Sequence, residues 1–406
     1  MIAAIVLAAL TASAQQFASL PLSAALENAV RISPDVAQAR ARVTENQALL
    51  AAARGAAAPS IQASYAAAPQ GGNAGNTIEQ SLATIGAGVT LGDYLSYLPA
   101  VRQAQFTLAG ARYDLLDAQR AEREKTAGLY YGSLKALAMV RLRADGVSGA
   151  RSDLRAAELR FKAGDVPRLD VVRAQVALAN ARADLDAAQV DAANAQNALS
   201  VETGAPVQRL QRLQETAAFA PPPADPRKAV QRALVQRSDL VSARQAVNAE
   251  EAAVHVAQGG VFPAITVSAG YTHGYDSGVL VSGPSANVSV SVPLSHSAAD
   301  RVAAERARLA QAQYKQAALE RSITVAVSSA ARTYLESVRA VQSARTARIA
   351  AQQELHATEI GYRSGASSSL DVADARRTYV QAALAEVTAI YAQAQAAATL
   401  QEEMGP

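Results

Sequence analysis

Hydrophobic and polar residues follow two different spacings along this chain, and each spacing occurs in both halves. Short stretches alternate apolar and polar residues, as a β-strand does when its two faces meet different surroundings. Much longer stretches are rich in alanine, the strongest helix former. The alternating stretches predict four strands, paired as two hairpins, at residues 60–68, 79–92, 264–275 and 286–294.

The alanine-rich stretches predict helices, two of which are very long. These two extend from about Tyr97 to Lys162 and from about Ala298 to Arg363. Each is followed by a turn that contains glycine, and then by a return helix whose apolar and alanine positions recur every seven residues, as in coiled coils. An ordinary antiparallel coiled-coil arm would show the same spacing. Shorter helices are predicted before the strands, at Leu22–Ala57 and Arg227–Gln258.

The two halves of the chain are similar to each other, with matching positions about 200 residues apart. In the clearest match, Gly164 and Leu169-Asp170-Val171 correspond to Gly365 and Leu370-Asp371-Val372. Because several such matches occur in the same order, chance similarity between helical sequences does not explain them. We therefore predict a signal peptide at residues 1–14, a first repeat at 15–215, a proline-rich linker at 216–226 and a second repeat at 227–406.

Four strands are too few to close a barrel, and open strand edges are not tolerated in hydrocarbon. Barrels made by one chain need about eight strands or more. Each predicted strand has one apolar face and one face of small polar residues, which suits lipid on one side and water on the other. Closure would then require several chains, and three would supply twelve strands. The alternative is a soluble four-stranded sheet covered by the helices.

Composition and charge narrow the class of protein. Of 406 residues, 50% are hydrophobic and only 4% aromatic, which disfavours several bulky globular cores. The net charge is +3, and acidic and basic residues are interleaved without a basic stripe, so no nucleic-acid partner is expected. Beyond the first residues there is no apolar run long enough to predict a membrane-spanning helix.

The first fourteen residues have the features of a secretory signal. Ile2–Leu10 is an apolar core, and Ala12-Ser13-Ala14 fits the small-residue pattern of a cleavage site before Gln15. No lysine or arginine precedes the apolar core, which is unusual for a signal and leaves open a start of translation further upstream. A buried helical turn is the alternative interpretation.

The order of these motifs resembles the TolC family of outer-membrane efflux proteins over essentially the whole mature chain. The most specific segments are Arg160-Phe161-Lys162-Ala163-Gly164 and Gly361-Tyr362-Arg363-Ser364-Gly365, each followed by Leu-Asp-Val. The resemblance implies a homotrimer in the outer membrane of a bacterial cell, with a twelve-stranded barrel and a helical tunnel that extends into the periplasm. It also implies docking to a periplasmic adaptor protein and an inner-membrane pump.

The resemblance further implies roles for residues near the two turns. Asp371 and Asp374 match the aspartates that ring the closed aperture of the family, where three chains would place six carboxylates and attract cations. A simpler explanation for Asp371 is helix capping together with Ser368.

Asp170 and Tyr362 match the positions of a family hydrogen bond that holds the tip helices closed. The cation of that network is absent, because Ser367 occupies its position, and Arg168 or Arg363 could substitute. Gly164 and Gly365 match the tip turns that contact the adaptor. A glycine at a helix end also needs no other reason than its backbone conformation.

Residues for catalysis or cofactor binding are not apparent. The four histidines lack the spacing of metal ligands, and without cysteine no thiolate ligand is possible. Gly86-x-Gly88 lacks the lysine and helix of a phosphate-binding loop. The sequence therefore predicts no cofactor, no metal and no enzymatic activity. We expect the passive exit duct of a tripartite efflux or secretion system, gated at the helix tips; the alternative is a soluble periplasmic coiled-coil adaptor or scaffold.

Overall fold

The structure is a computed structural model of the chain. It describes residues 20–56, 58, 60–71, 77–90, 93–205, 225–260, 262–276, 279–292 and 297–405. The predicted signal at residues 1–14 and most of the linker at 216–226 lie outside these ranges, as do the last residues predicted for two strands, 91–92 and 293–294, and His296.

The two halves contain the same elements in the same order. The first half has α1 (Leu22–Ile32), α2 (Pro34–Gly55), β1 (Ser60–Gly71), β2 (Thr77–Thr90), α3 (Asp93–Ala163) and α4 (Arg168–Thr203). The second half has α5 (Pro226–Gln236), α6 (Ser238–Gly259), β3 (Ala264–Asp276), β4 (Val279–Ser291), α7 (Ser297–Ser364) and α8 (Ser369–Glu403). The predicted fold class, mainly helical with four antiparallel strands, is confirmed.

The helix predicted before each pair of strands is in fact two helices, which corrects the sequence analysis. In the first half the break falls at Ser33, because the residue before a proline is disfavoured in helical conformation and Pro34 follows. In the second half it falls at Arg237, which has an extended backbone although no proline follows. A buried ion pair with Glu403 holds the Arg237 side chain at this break.

The strands form one antiparallel sheet in the order β1-β2-β3-β4. Both hairpins and the central β2–β3 pair are antiparallel, and the register places Ile85 opposite Tyr271 and Val267 opposite Val288. Among the described residues, β1 and β4 each have a neighbour on one side only. The sheet therefore has two unpaired edges within one chain.

The second hairpin is longer than the sequence predicted. The predicted strands left residues 276–285 as their connection, but β4 begins at Val279 and ends at Ser291 instead of covering 286–294. Cross-strand pairing explains the difference, since Val279 lies opposite Asp276 and Ser282 opposite His273. Pairing along the whole hairpin satisfies backbone groups regardless of local composition. Of the other strand bounds, β1 and β3 begin where predicted, β1 ends three residues later, β3 ends one residue later and β2 begins two residues earlier.

The chain divides into two compact units, and each unit contains segments of both repeats. Unit 1 comprises residues 1–38, 117–237 and 322–406, and unit 2 comprises 39–116 and 238–321. The largest buried side chain of unit 1 is Tyr130, which packs with Leu20 and Leu199 and donates a hydrogen bond of 2.9 Å from its hydroxyl to the Leu20 carbonyl. Within the described ranges, no helix is both long and apolar enough to cross a membrane.

Candidate functional site

One face of the sheet in unit 2 is apolar and exposed. Because side chains alternate between faces, the register collects Ile85, Val267, Tyr271 and Val288 on the same side. These are large apolar side chains, and Ile85 keeps 64% of its surface exposed in the single chain. The face is largely apolar, although His273 and Ser282 also lie on it towards the hairpin end. A surface of this kind is costly in water and favourable against lipid or a partner.

The opposite face is polar, small and free of formal charge along the middle of the strands. Thr84 and Thr272 lie opposite each other with their hydroxyl oxygens 3.3 Å apart. Next to them Gly86 lies opposite Gly270, and a Cβ on Gly270 would approach the Ile85 carbonyl oxygen to 2.9 Å. The close backbone approach therefore requires glycine, and the face that results carries hydroxyl groups and little bulk.

At the C-terminal end of each long helix, in unit 1, a turn that contains glycine leads into the return helix. Gly164 has φ of +85° and Gly365 has φ of +82°, a region that favours glycine. Both turns close in the same way: the Asp165 amide donates to the Arg160 carbonyl at 2.9 Å, and the Ala366 amide donates to the Gly361 carbonyl at 2.8 Å. A Cβ on either glycine would meet nothing within 4 Å, so backbone conformation, and not crowding, requires glycine here.

Asp371 lies at the start of α8, where it forms a capping box with Ser368. The Asp371 carboxylate accepts from the Ser368 amide at 2.8 Å, and the Ser368 hydroxyl accepts from the Asp371 amide at 3.2 Å. These hydrogen bonds lower the pKa of Asp371, and the bond from the Ser368 backbone amide has the largest effect. Asp374, one turn later, pairs with Arg377 at 3.1 Å, and both side chains are exposed. Each aspartate thus has a local structural partner.

Asp170 and Tyr362 both line one cavity at the tip but do not form the predicted hydrogen bond. The Asp170 carboxylate is 3.6 Å from the Arg173 guanidinium. The Tyr362 ring lies under Arg160, whose guanidinium carbon is 4.4 Å from the ring centre and which also donates to the Tyr362 carbonyl at 3.0 Å. The first long helix therefore contacts Tyr362 through a cation–π interaction.

Arg376 makes the most extensive tip contact, and sequence reasoning missed it. Its guanidinium donates from Nε to Asp153 Oδ2 at 2.6 Å and from Nη2 to Asp153 Oδ1 at 3.0 Å, a bidentate pair. Nη2 also donates to Glu359 Oε1 at 2.7 Å. Asp153 lies on α3, Glu359 on α7 and Arg376 on α8, so one side chain links three helices. Gly149 leaves the space that the guanidinium occupies, since a Cβ there would be 2.5 Å from Arg376 Nη1.

The Arg376 contact lies at a cavity of about 840 Å³ between α3, α4, α7 and α8. Burial raises the pKa of Asp153, and the adjacent Arg376 partly offsets that effect. Farther from the turns, Arg143 pairs with Asp184 at 2.7 Å and Arg348 pairs with Glu386, again between a long helix and its return helix. Within the described residues, no cluster of His, Asp or Glu has the arrangement of a metal site.

The chain combines an open sheet that has an exposed, largely apolar face with two helices of 71 and 68 residues. The chain belongs to the outer membrane efflux protein family, whose sequence profile matches residues 23–205 and 229–406. It is therefore an efflux channel protein of the outer membrane, and its family consists of passive channels rather than enzymes. No protein of curated function matches the chain directly by sequence.

Solved channel structures share this fold. The outer-membrane channel OprN superposes with a TM-score of 0.83 at 19% identity, covering 95% of this chain and 89% of its own. The CmeC outer membrane channel of Campylobacter jejuni gives 0.81 at 16% identity, with coverage of 95% and 85%. VceC of Vibrio cholerae, an outer membrane protein, gives 0.81 at 18% identity, with coverage of 95% and 96%. The resemblance to the TolC family is confirmed.

Proposed function

We propose that three copies of this chain form one duct, with a twelve-stranded barrel in the outer membrane and a helical tunnel in the periplasm. The observation that carries the proposal is the open sheet, in which β1 and β4 each lack a second neighbour among the described residues. Unpaired strand edges are not stable in hydrocarbon, so β1 of one copy must pair with β4 of the next. Twelve strands fall within the range of outer-membrane barrels.

The two faces of the sheet support this arrangement. Lipid would contact the apolar face of Ile85, Val267 and Tyr271, and water would fill the inside against Thr84 and Thr272. A soluble adaptor or scaffold would instead leave the apolar face against water. The duct is therefore the better explanation of the sheet.

The tip of unit 1 is where we place the gate. Arg376 joins α3, α7 and α8, and Arg160 holds Tyr362, so separation of the two helical hairpins must break these contacts. A passive chain supplies no energy for that step. Opening has to come from a partner that binds the separated state more tightly. We assign this role to a periplasmic adaptor that contacts the turns at Gly164 and Gly365, within a complex that includes an inner-membrane pump.

Asp371 and Asp374 are the proposed aperture residues. In a three-fold assembly they would form two rings of carboxylates. Arg377 would lie beside the Asp374 ring, because the two side chains form a 3.1 Å ion pair within one chain. We therefore expect the aperture to prefer cations only weakly, and we assign the negative field mainly to Asp371.

Single-channel recording in planar lipid bilayers tests this function. The wild-type protein should give rare, small conductance steps, and Arg376→Ala should open more often because the link between three helices is lost. Arg377→Ala should increase the preference for cations, and Asp374→Asn should reduce it. Absence of any conductance from wild type and all variants would reject the duct. Conductance with unchanged opening in Arg376→Ala would reject only the gate assignment.

A further inference from the structure

Among the described residues, the open edges of the sheet are those of β1 and β4, and the backbone of the inner strands shows which residues face these edges. A Cβ on Gly270 would lie 2.9 Å from the Ile85 carbonyl oxygen, and a Cβ on Gly86 would lie 3.1 Å from the Ala269 carbonyl oxygen. Odd-numbered residues of β2 and β3 therefore direct their backbone groups at each other. The Gly270 carbonyl instead accepts from the Ser285 hydroxyl of β4 at 3.4 Å and points to the other side.

This alternation continues to both edges, because successive residues of a strand direct their N–H and C=O groups to opposite sides. In β1 the odd-numbered residues, such as Ile61, point these groups to the open edge. In β4 the even-numbered residues, such as Ala286, do the same. Ile61 is aligned through Ala87 and Ala269 with Ala286, so both sets of residues share the apolar face. The two edges therefore match each other in their backbone groups and in their faces.

We propose a specific register for the contact between copies, in which β1 of one copy pairs with β4 of the next along its whole length. Ser60 lies opposite Ser291 in this register, and Gly71 lies opposite Leu280. All 12 residues of β1 then have a partner within β4, and residues that point to one edge meet residues that point to the other. The inference rests on the proposed duct of three copies and adds which residues meet between them.

The strand ends within one chain already show the stagger that this register continues. Ser60 is aligned through Gly88 and Ser268 with Asn287, whereas β4 ends at Ser291, four residues farther along. The proposed register carries the same four-residue step over the four strands of each copy. A rise of one residue, about 3.4 Å, for each strand spacing of about 4.8 Å corresponds to a tilt of about 35°. Strands of membrane barrels tilt by about 35–45°.

The nearest alternatives are registers shifted by two residues, because a shift by one would exchange the faces. A shift that places Ser60 opposite Ser289 halves the stagger to a tilt of about 20° and leaves Gly71 beyond the start of β4. The opposite shift leaves Ser60 beyond the end of β4 and places Pro69 opposite Pro284. Two prolines have no N–H to donate, so that pair would form no backbone hydrogen bond.

The two prolines lie where an edge strand tolerates them. Pro69 of β1 and Pro284 of β4 each lack an N–H on the side of the open edge. Missing donors on an edge also limit its pairing with unrelated strands before assembly. In the proposed register Pro69 lies opposite Ser282 and Pro284 lies opposite Ala67, so each of these pairs keeps one of its two hydrogen bonds.

Disulfide formation between introduced cysteines tests the register, and the chain has no cysteine of its own. Ser64 and Asn287 would lie opposite each other on the polar face, at a pair without backbone hydrogen bonds, where Cα atoms are about 4.5 Å apart and a disulfide can form. Ser64→Cys with Asn287→Cys should therefore give covalent dimers and trimers when outer membranes that contain the full-length protein are mildly oxidised and run on a non-reducing denaturing gel.

The matched controls combine Ser64→Cys with Ser285→Cys or with Ser289→Cys. These diagonal neighbours would be about 7–8 Å apart, beyond the usual reach of a disulfide, and should crosslink about five-fold less or weaker still. Stronger crosslinking of either control than of the proposed pair would overturn the register and leave the duct of three copies in place.

Should the Asn287→Cys protein fail to fold, Gln62→Cys with Ser289→Cys tests the same register, because these two residues would also lie opposite each other on the polar face. Absence of crosslinks from every pair, in protein that native mass spectrometry shows to be trimeric, would overturn the pairing of β1 with β4. A monomer without crosslinks would reject the proposed function, and the register with it.

Discussion

The sheet of unit 2 and the helix tip of unit 1 are held together by different interactions. The middle of the sheet relies on backbone pairing and on a division between apolar and small polar faces, with no Asp, Glu, Lys or Arg at residues 81–90, 264–275 or 279–291. The tip relies on ion pairs between helices, such as those of Arg376 with Asp153 and Glu359. The first kind of interaction suits the wall between lipid and water that we propose, and the second suits the proposed gate, whose contacts would break and re-form.

This difference follows from the medium each region meets. Charged groups are very costly in hydrocarbon, which explains why Asp, Glu, Lys and Arg are absent from the middle of the sheet, whereas Glu79 of β2 and Asp276 of β3 lie near the hairpin ends. Ion pairs that keep some exposure to water are worth only a little free energy each and can be exchanged for hydration. The tip side chains of Arg376, Asp153 and Glu359 are 22–32% exposed and fall in this class.

The largest expected effect comes from placing a charge on the apolar face of the sheet. Val267→Lys should destabilise the membrane-embedded protein by about 2–4 kcal/mol, the usual cost of a lysine at the lipid-facing midplane of a barrel. Ser268→Lys, on the opposite face of the same strand, is the matched control and should cost clearly less. Urea unfolding in lipid vesicles measures both. Equal costs for the two variants would mean that the faces are not lipid and water.

A smaller effect is expected at the tip. Arg376→Ala leaves Asp153 and Glu359 without their cation, and because all three are partly exposed we expect a loss of about 1–2 kcal/mol of unfolding free energy. Arg377→Ala removes an exposed pair with Asp374 and should cost less than about 0.5 kcal/mol. Denaturant unfolding in detergent compares the two. A larger loss for Arg377 than for Arg376 would contradict the assignment of Arg376 as the main link.

The smallest effect concerns the turns. Gly365→Ala forces a Cβ onto a residue with φ of +82° and should destabilise by about 1 kcal/mol, although nothing crowds the site. Gly132→Ala, inside α3 with open space around it, should instead stabilise by about 0.5–1 kcal/mol because alanine is the better helix former. Thermal unfolding of the two variants should therefore change in opposite directions. A melting temperature that changes in the same direction in both variants would mean that the backbone conformation at Gly365 does not require glycine.

Much of the fold could be predicted from the sequence because its pattern is local and occurs twice. Alternation at Ile265–Tyr271 fixes which residues share a face, and glycine before Leu-Asp-Val marks each turn. The break at Ser33 has a local signal in Pro34, but the break at Arg237 and the long β4 could not be predicted so well. They depend on contacts with distant residues, namely Glu403 and β3.

The contacts between side chains at the tip could not be predicted from the local sequence either. The family resemblance pointed to Asp170 and Tyr362, whereas the structure uses Arg376 to join Asp153, 223 positions earlier, to Glu359. Which side chains meet across two helical hairpins depends on the relative register of the helices, and periodicity alone does not specify it. The sequence contained only a partial signal for the Arg376 contact. Arg376 has no charged counterpart in the first repeat, where Gln175 occupies the matching position.

Native mass spectrometry of the protein released from detergent micelles tests most directly whether one chain holds a third of a barrel. We expect one species of about three times 42.0 kDa, less any segment removed on export. A single chain that stays monomeric and dispersed in water without detergent would contradict it.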